Sequence, residues 1–334
     1  MLFHPLIRFI SRRVYSHIVH PVPILRNFWW TVKENIYNHR VRGELVKVEL
    51  SANCNARCSF CWMFQSDQKP AGLMTLDNFK KFVDINKQDF VKRRVRIQPF
   101  FNGESLTHPH FFEMMDYLVA SDVRFARLDS NLGVKKDMKR LMSYPWPIIC
   151  ANIAGVTKEV HEKIMKTKFD VVMQNLRELF AINRNRIFVK VTPVKDNIHQ
   201  LKAFPEFIRS LGGDPARIEI GTTGFNTPAM AKDEDIHEFF REVVSSEVES
   251  YLRFTYDLSQ PRFDIRAKRP GCHFLQDCVT YDGKLTICCQ DQFGTLNVGS
   301  AFNTPFFELK QSHRYNDFRR QGIGQKFEMC QECN

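Results

Sequence analysis

Three cysteines, Cys54, Cys58 and Cys61, stand within the run Cys-Asn-Ala-Arg-Cys-Ser-Phe-Cys. The spacing C-x3-C-x2-C brings three sulfur ligands to one place and no fourth. A closed zinc site, or a cluster that only transfers electrons, takes four protein ligands. Three thiolates can instead hold a 4Fe–4S cluster with one iron open, able to bind a small molecule and pass it an electron. Two plainer explanations compete. Zinc knuckles usually pair two C-x2-C units, and this run is not built that way. Disulfides belong to oxidising compartments, whereas this chain carries no secretory signal and reads as cytoplasmic, where thiols stay reduced.

Ten cysteines in 334 residues exceed incidental use. Beyond the triad they fall into Cys150 alone, then Cys272, Cys278, Cys288 and Cys289, then Cys330 and Cys333. Three plus four ligands would serve two clusters and leave three cysteines over. The length suits one large domain with a small one. The apolar and charged fractions are those of a globular protein. A net charge of +11 favours anionic partners such as phosphorylated substrates or acidic lipid. Nucleic acid is not expected, because no RNA-binding module is recognisable.

The elements that must position these groups read as follows. Residues 1–44 are basic and apolar, with Leu6, Ile10, Val14 and Ile18 at i+4 spacing and Arg8, Arg12 and Arg13 between them. This is an amphipathic helix, too short and too charged to span a bilayer, that docks on the protein body or lies on a membrane surface. From Leu45 the chain alternates. Strands are expected over Leu45–Leu50, Val95–Phe101, Phe125–Asp129, Ile148–Ile153, Ile187–Thr192 and Ile218–Gly221. Helices are expected over Thr75–Asn86, Pro109–Ala120, from Thr157, from Phe169 and over His199–Leu211. Six such units make an α/β fold, a partial (β/α)6 TIM barrel, with active groups at the carboxyl ends of its strands. Four parts follow: the extension 1–44, the barrel 45–230, a helical connector 231–258, and a small C-terminal domain 259–334. The last reads as a hairpin over Val279–Cys289, turning at Asp282-Gly283, and a helix over Thr304–Arg320.

The triad in the loop after the first strand, Phe60 before its last cysteine, and Asn102-Gly103-Glu104-Ser105 after the second strand resemble the radical S-adenosylmethionine (SAM) superfamily over residues 45–225. The resemblance implies that Cys54, Cys58 and Cys61 hold a 4Fe–4S cluster whose open iron chelates SAM. Reductive cleavage would then yield a 5′-deoxyadenosyl radical that abstracts hydrogen from a substrate. It implies SAM contacts at Phe60, Gly103, Glu104, Ser130, Asn131, Asn152 and Lys190, with Glu104 accepting from the methionine ammonium. Asn102 replaces the first glycine of the family's Gly-Gly-Glu turn. Where relatives often carry an arginine for the SAM carboxylate this chain has Met165, with Lys163 or Lys166 as substitutes. Thr192, Glu219 and Thr222 are further strand-end candidates for substrate or ribose contact.

The C-terminal cysteines resemble a shortened SPASM domain, the twitch form. Ten residues separate Cys272 from Gly283 and four separate Gly283 from Cys288. The resemblance implies one auxiliary 4Fe–4S cluster held by Cys272, Cys288, Cys330 and Cys333, with Cys289 or Cys278 as alternative ligands; a four-cysteine zinc site is the plainer alternative. The architecture is similar to 2-deoxy-scyllo-inosamine dehydrogenase-type enzymes. It implies oxidation of a secondary alcohol on a sugar or cyclitol, with flavodoxin or ferredoxin as electron donor. A base would be needed, from a lysine, histidine or arginine at the strand ends. Radical epimerisation is a second expectation, with Cys150, Cys278 or Cys289 as the thiol hydrogen donor. A peptide (RiPP) maturase is a third, though residues 1–44 are too short for a winged-helix recognition domain. A non-catalytic zinc or nucleic-acid-binding protein is the alternative of another class.

Overall fold

The computed structural model describes residues 44–65, 70–220, 252–254, 275–288 and 291–323. The expected helix over 1–44, apart from Glu44, lies outside these residues, as do Cys272, Cys289, Cys330 and Cys333. The first strand, β1 (Leu45–Val48), buries Val46 and Val48 and leaves Leu45 and Lys47 half-buried, the alternation of a strand with one covered face. The triad loop follows, leading into the short helix α1 (Trp62–Gln65). Thr75 then caps α2 (Leu76–Lys92), its hydroxyl accepting from Asn78 N. This helix continues past Asn86 because Phe90 extends the buried stripe of Phe79, Phe82 and Val83. It leads to β2 (Arg96–Gln98) and α3 (Phe111–Ala120).

The strand expected over Phe125–Asp129 is two strands, β3 (Arg124–Phe125) and β4 (Leu128–Ser130). The chain changes partners between them. Ala126 N still reaches Ile97 O in β2, whereas Leu128 N reaches Ile148 O on the other side. There follow α4 (Met138–Ser143), β5 (Ile149–Ile153), α5 (Lys158–Met165), α6 (Phe169–Asn183) and β6 (Ile187–Val191). The helix expected over His199–Leu211 begins as a tight 3-10 stretch, Ile198–Ala203, before α7 (Phe204–Ser210). Strand β7 (Ile218–Ile220) comes next.

Residues 231–258 were expected to be helical, and Leu252–Phe254 correct this. They form β8, paired in parallel with β7 through Glu219↔Arg253. An unpaired sheet edge offers hydrogen bonds to any period-two segment, and Leu-Arg-Phe is one. The C-terminal part opens with the hairpin β9 (Leu275–Val279) and β10 (Leu285–Cys288). The single helix expected over Thr304–Arg320 is α8 (Phe306–Gln311) and α9 (His313–Ile323). Ser312 separates them in extended conformation, and its hydroxyl accepts from Tyr315 N.

Two five-stranded sheets result, in the orders β10-β9-β1-β2-β3 and β4-β5-β6-β7-β8. Every neighbouring pair is parallel except the β9–β10 hairpin. Together they form the open, partial barrel, with their carboxyl ends along one rim. The C-terminal hairpin joins the first sheet directly, since β9 pairs with β1 through Lys47↔Cys278 and Val48↔Val279.

Candidate functional site

The triad sits on a loop fixed by main-chain bonds to the end of α5. Arg57 N donates to Met165 O and Ser59 N to Ile164 O, both at 2.9 Å. Cys61 N closes a turn onto Cys58 O at 2.9 Å, and Ala56 N donates to Cys54 Sγ at 3.4 Å. The three thiols are half-buried, and Cys54, Cys58 and Cys61 lie close enough for their charges to couple. Burial pushes Cys54 up to about 12, with the Glu104 carboxylate adding to the effect. Burial also raises Cys58 and Cys61. Among the described residues, no three His, Cys, Asp or Glu side chains converge on a single-ion site. Three thiolates from one loop, one for each of three irons, fit a 4Fe–4S cluster with one iron open.

The second strand ends in the Asn102-Gly103-Glu104 turn, pressed against this loop. Gly103 has φ +67°, and a Cβ there would stand 2.3 Å from Ser51 O. Only glycine lets the two backbones pass this closely. Glu104 N donates to Asn53 O at 2.9 Å. Both oxygens of its carboxylate are engaged: Oε1 accepts from Leu106 N at 3.0 Å and Oε2 from Asn131 N at 2.7 Å. Burial raises its pKa, and those two amides together with the Ser130 hydroxyl work against the rise. Asn131 completes the link. Its Nδ2 donates to Asn55 Oδ1 at 2.9 Å and lies 3.8 Å from Cys54 Sγ, while its Oδ1 accepts from Gly133 N. The structure thus brings together Cys54, Gly103, Glu104, Ser130 and Asn131 from three separate strand ends. Ser130 is buried with its hydroxyl accepting from Leu132 N, so it serves to shape the turn.

Phe60 and Cys58 pack on a small apolar cluster of Ala154, Ile164, Met165 and Val194. Met165, at the position of the expected carboxylate anchor, is buried packing. Lys163 is held by Asp196 at 2.7 Å, and Lys166 is an exposed left-handed cap. Asn152 lies near the rim, its Nδ2 3.4 Å from Ser130 O, and Lys190 sits beside it in register between Asn152 and Glu219.

Arg127, which sequence reasoning missed, ties two residues it had named, Glu219 and Cys150, into one network with Asp129. Arg127, at the break between β3 and β4, donates to Asp129 and to Glu219 Oε2, the latter at 2.9 Å, and Nη2 reaches Cys150 Sγ at 3.1 Å. Burial opposes the guanidinium's charge, and the two carboxylates outweigh it. Cys150 is fully buried, and that burial pushes its thiol well up, so it stays protonated. Its chemical partners lie far apart in sequence, and no local spacing marks them.

Glu49, directly after β1, also carried no local signal. It is buried, accepts from Asn102 N at 3.2 Å and from Tyr281 N at 3.1 Å, and burial pushes it up to about 7 against those two donors. On the C-terminal side, Cys278 is buried in β9, its Sγ 3.5 Å from Gln276 O, and Cys288 ends β10. Gly283 turns the hairpin at φ +86°, and a Cβ there would meet the Phe302 ring at 2.4 Å.

Two family models match the chain: the radical SAM superfamily over residues 48–211, and SPASM, an iron–sulfur cluster-binding domain, over residues 272–334. The chain belongs to the radical SAM superfamily, whose cofactors are SAM and 4Fe–4S clusters. It is 24% identical to the antilisterial bacteriocin subtilosin biosynthesis protein AlbA of Bacillus subtilis, over 49% of this chain and 36% of that protein. It is 24% identical to the mycofactocin maturase MftC of Mycobacterium tuberculosis, over 57% of this chain and 47% of that one. The chain thus spans between a third and a half of these curated relatives. In fold it is similar to Streptococcus suis SuiB bound to S-adenosylmethionine, with TM-score 0.60 and 13% identity, over 95% of this chain and 78% of the other. SuiB is also known bound to the precursor peptide SuiA. No helix of the described residues is long and apolar enough to cross a membrane.

Proposed function

We propose that this protein is a radical SAM enzyme that acts on a peptide. The observation that carries the first half is the joining of the triad loop to the Glu104 turn through Asn53 O, Gly103 and Asn131. When bound, a reduced 4Fe–4S cluster with an open iron supplies an electron to the SAM sulfonium and so a radical able to take hydrogen from substrate. Cys54, Cys58 and Cys61 would hold three of its irons. Because burial holds these thiols protonated, loading must release protons, and iron's positive charge is what drives that release. Glu104, fixed by two amides, presents a carboxylate lone pair to the methionine ammonium. Phe60 and Met165 form an apolar wall that excludes water. Asn131 and Asn152 offer hydrogen bonds at the same rim.

The peptide substrate is supported by what AlbA, MftC and SuiB are named for. Oxidation of a secondary alcohol on a sugar or cyclitol is the second reading. The hydrogen-bonding interior of Arg127, Asp129 and Glu219 favours it, since such groups match a hydroxylated ring. Radical epimerisation would draw its hydrogen atom from Cys150, which burial keeps as a thiol.

The test is anaerobic reconstitution followed by reduction with dithionite in the presence of SAM. Expected are about eight irons per chain for two clusters, release of 5′-deoxyadenosine, and loss of that product in Cys58→Ala. Intact iron–sulfur absorbance without 5′-deoxyadenosine would overturn the radical reading. Deuterium from labelled peptide or labelled cyclitol appearing in 5′-deoxyadenosine decides the substrate class.

A further inference from the structure

The turn that carries Gly103 and Glu104 is held from two sides. One side is the triad loop. The other is the C-terminal hairpin, reached through Glu49 and Asn102. Glu49 shares its carboxylate between Asn102 N on the turn and Tyr281 N on the hairpin. Asn102 extends its own Nδ2 to Gln292 O, at 3.1 Å, just beyond the hairpin. A glycine at this place, the superfamily's usual residue, has no side chain to make that bond. A second route runs beside the first. Ala52 N in the triad loop donates to Gly72 O, and the Tyr281 ring lies directly against Gly72. Both Glu49 and Asn102 are buried, so these bonds form away from competing water.

We propose that Glu49 and Asn102 are positioning residues that form a strut between the SAM-binding turn and the C-terminal hairpin, and that the strut couples SAM binding to the state of the hairpin. The proposal rests on the reading that the Gly103–Glu104 turn holds the methionine end of SAM. Neither residue touches the reacting atoms. They act by fixing the angle at which Glu104 is presented. Coupling of this kind is reciprocal: a hairpin that tightens the turn must itself be tightened when SAM binds the turn.

The experiment uses the full-length, anaerobically reconstituted protein as wild type, Glu49→Gln and Asn102→Gly. Glu49→Gln turns an amide group towards one of the two N–H donors. Asn102→Gly keeps the main-chain N–H to Glu49 and removes the side-chain bonds of Asn102 to Gln292 O and to Glu49. SAM affinity is read from the change in the reduced cluster's paramagnetic resonance on titration. Amide exchange is read over residues 99–107 and 280–284, with and without SAM. In wild type, SAM slows exchange at 280–284. In both variants, iron content is retained, that slowing is lost, and SAM affinity falls about tenfold. Affinity within about twofold of wild type in both variants, or a wild-type hairpin blind to SAM, overturns the coupling. If one variant fails to load iron, the other decides. Without SAM, Glu49→Gln speeds exchange at both segments. Faster exchange at one end only, or at neither, overturns the strut even in a protein that never cleaves SAM.

Discussion

Glu104 shows how a single buried side chain can be committed twice. Its two oxygens satisfy two main-chain donors, Leu106 N and Asn131 N, and under the proposed function the same carboxylate would also meet a cationic ligand. Glu104→Gln would set an amide group against one of those N–H donors, and an unsatisfied buried donor costs about 1–3 kcal/mol. The expected outcome is a lower urea midpoint together with weaker SAM binding; an unchanged midpoint would show that the amides are not competing for it. His161 gives the pH dependence. It is fully buried, Nε2 lies 2.9 Å from Thr167 Oγ1, and Ala154 N points at its Nδ1. Burial lowers it from an ordinary 6.5 to about 4. The unfolded chain therefore binds a proton in that window that the folded protein refuses. The contribution of His161 to stability is full above pH 6.5 and is lost as the pH drops towards 4, by about 3 kcal/mol in all. His161→Gln should flatten this slope, as urea midpoints between pH 4 and 7 would show. At this scale the sequence was legible where chemistry is written in close spacing, as in Cys54, Cys58, Cys61 and the Gly103-Glu104 pair. It was silent about Glu49 and Arg127, and it marked Glu219 only as a strand-end candidate without its link to Arg127 and Asp129, whose meaning comes from partners brought together only by the fold.

Among the elements, periodicity found nearly every helix and strand, and its errors share one cause. The strand that splits into β3 and β4, the helix that breaks at Ser312, and the strand at Leu252–Phe254, where the connector was expected to be helical, all depend on which neighbour offers hydrogen bonds. A window of sequence does not contain that neighbour. Docking of α8 on α2 illustrates this. Phe306 is fully buried, edge-to-face with Phe90 at 5.8 Å and with Phe307 at 5.2 Å. Its main-chain N–H is accepted by buried Asn86 Oδ1 at 2.7 Å. Phe306→Ala should cost about 3–5 kcal/mol by opening a cavity between the helices. Asn86→Ala, which removes no large volume but strands the N–H, should cost about 1–3 kcal/mol. Thermal unfolding with the larger loss in Asn86→Ala would reverse this ordering and give the cap, not the ring, the leading part. Gly283→Ala, at φ +86° and against Phe302, should also lower the melting temperature, because alanine there is both strained and overlapped.

For the whole molecule, the insertion of β9 beside β1 decides what can be removed. The division at residue 259 read from the sequence would cut through a sheet, since Lys47 pairs with Cys278 and Val48 with Val279. A chain ending at residue 258 would leave β1 with a bare hydrogen-bonding edge, and such edges recruit other chains. The expected result is an aggregated product with no cooperative unfolding transition; a soluble, cooperatively melting fragment would count against the shared sheet. The same pairing orders events at the ribosome. β1 is synthesised well before β9, one of its two neighbours in the sheet. Until that strand arrives, the cysteine loop hangs from a half-made sheet. Stable loading of iron on the cysteine loop is therefore expected to follow synthesis of β9.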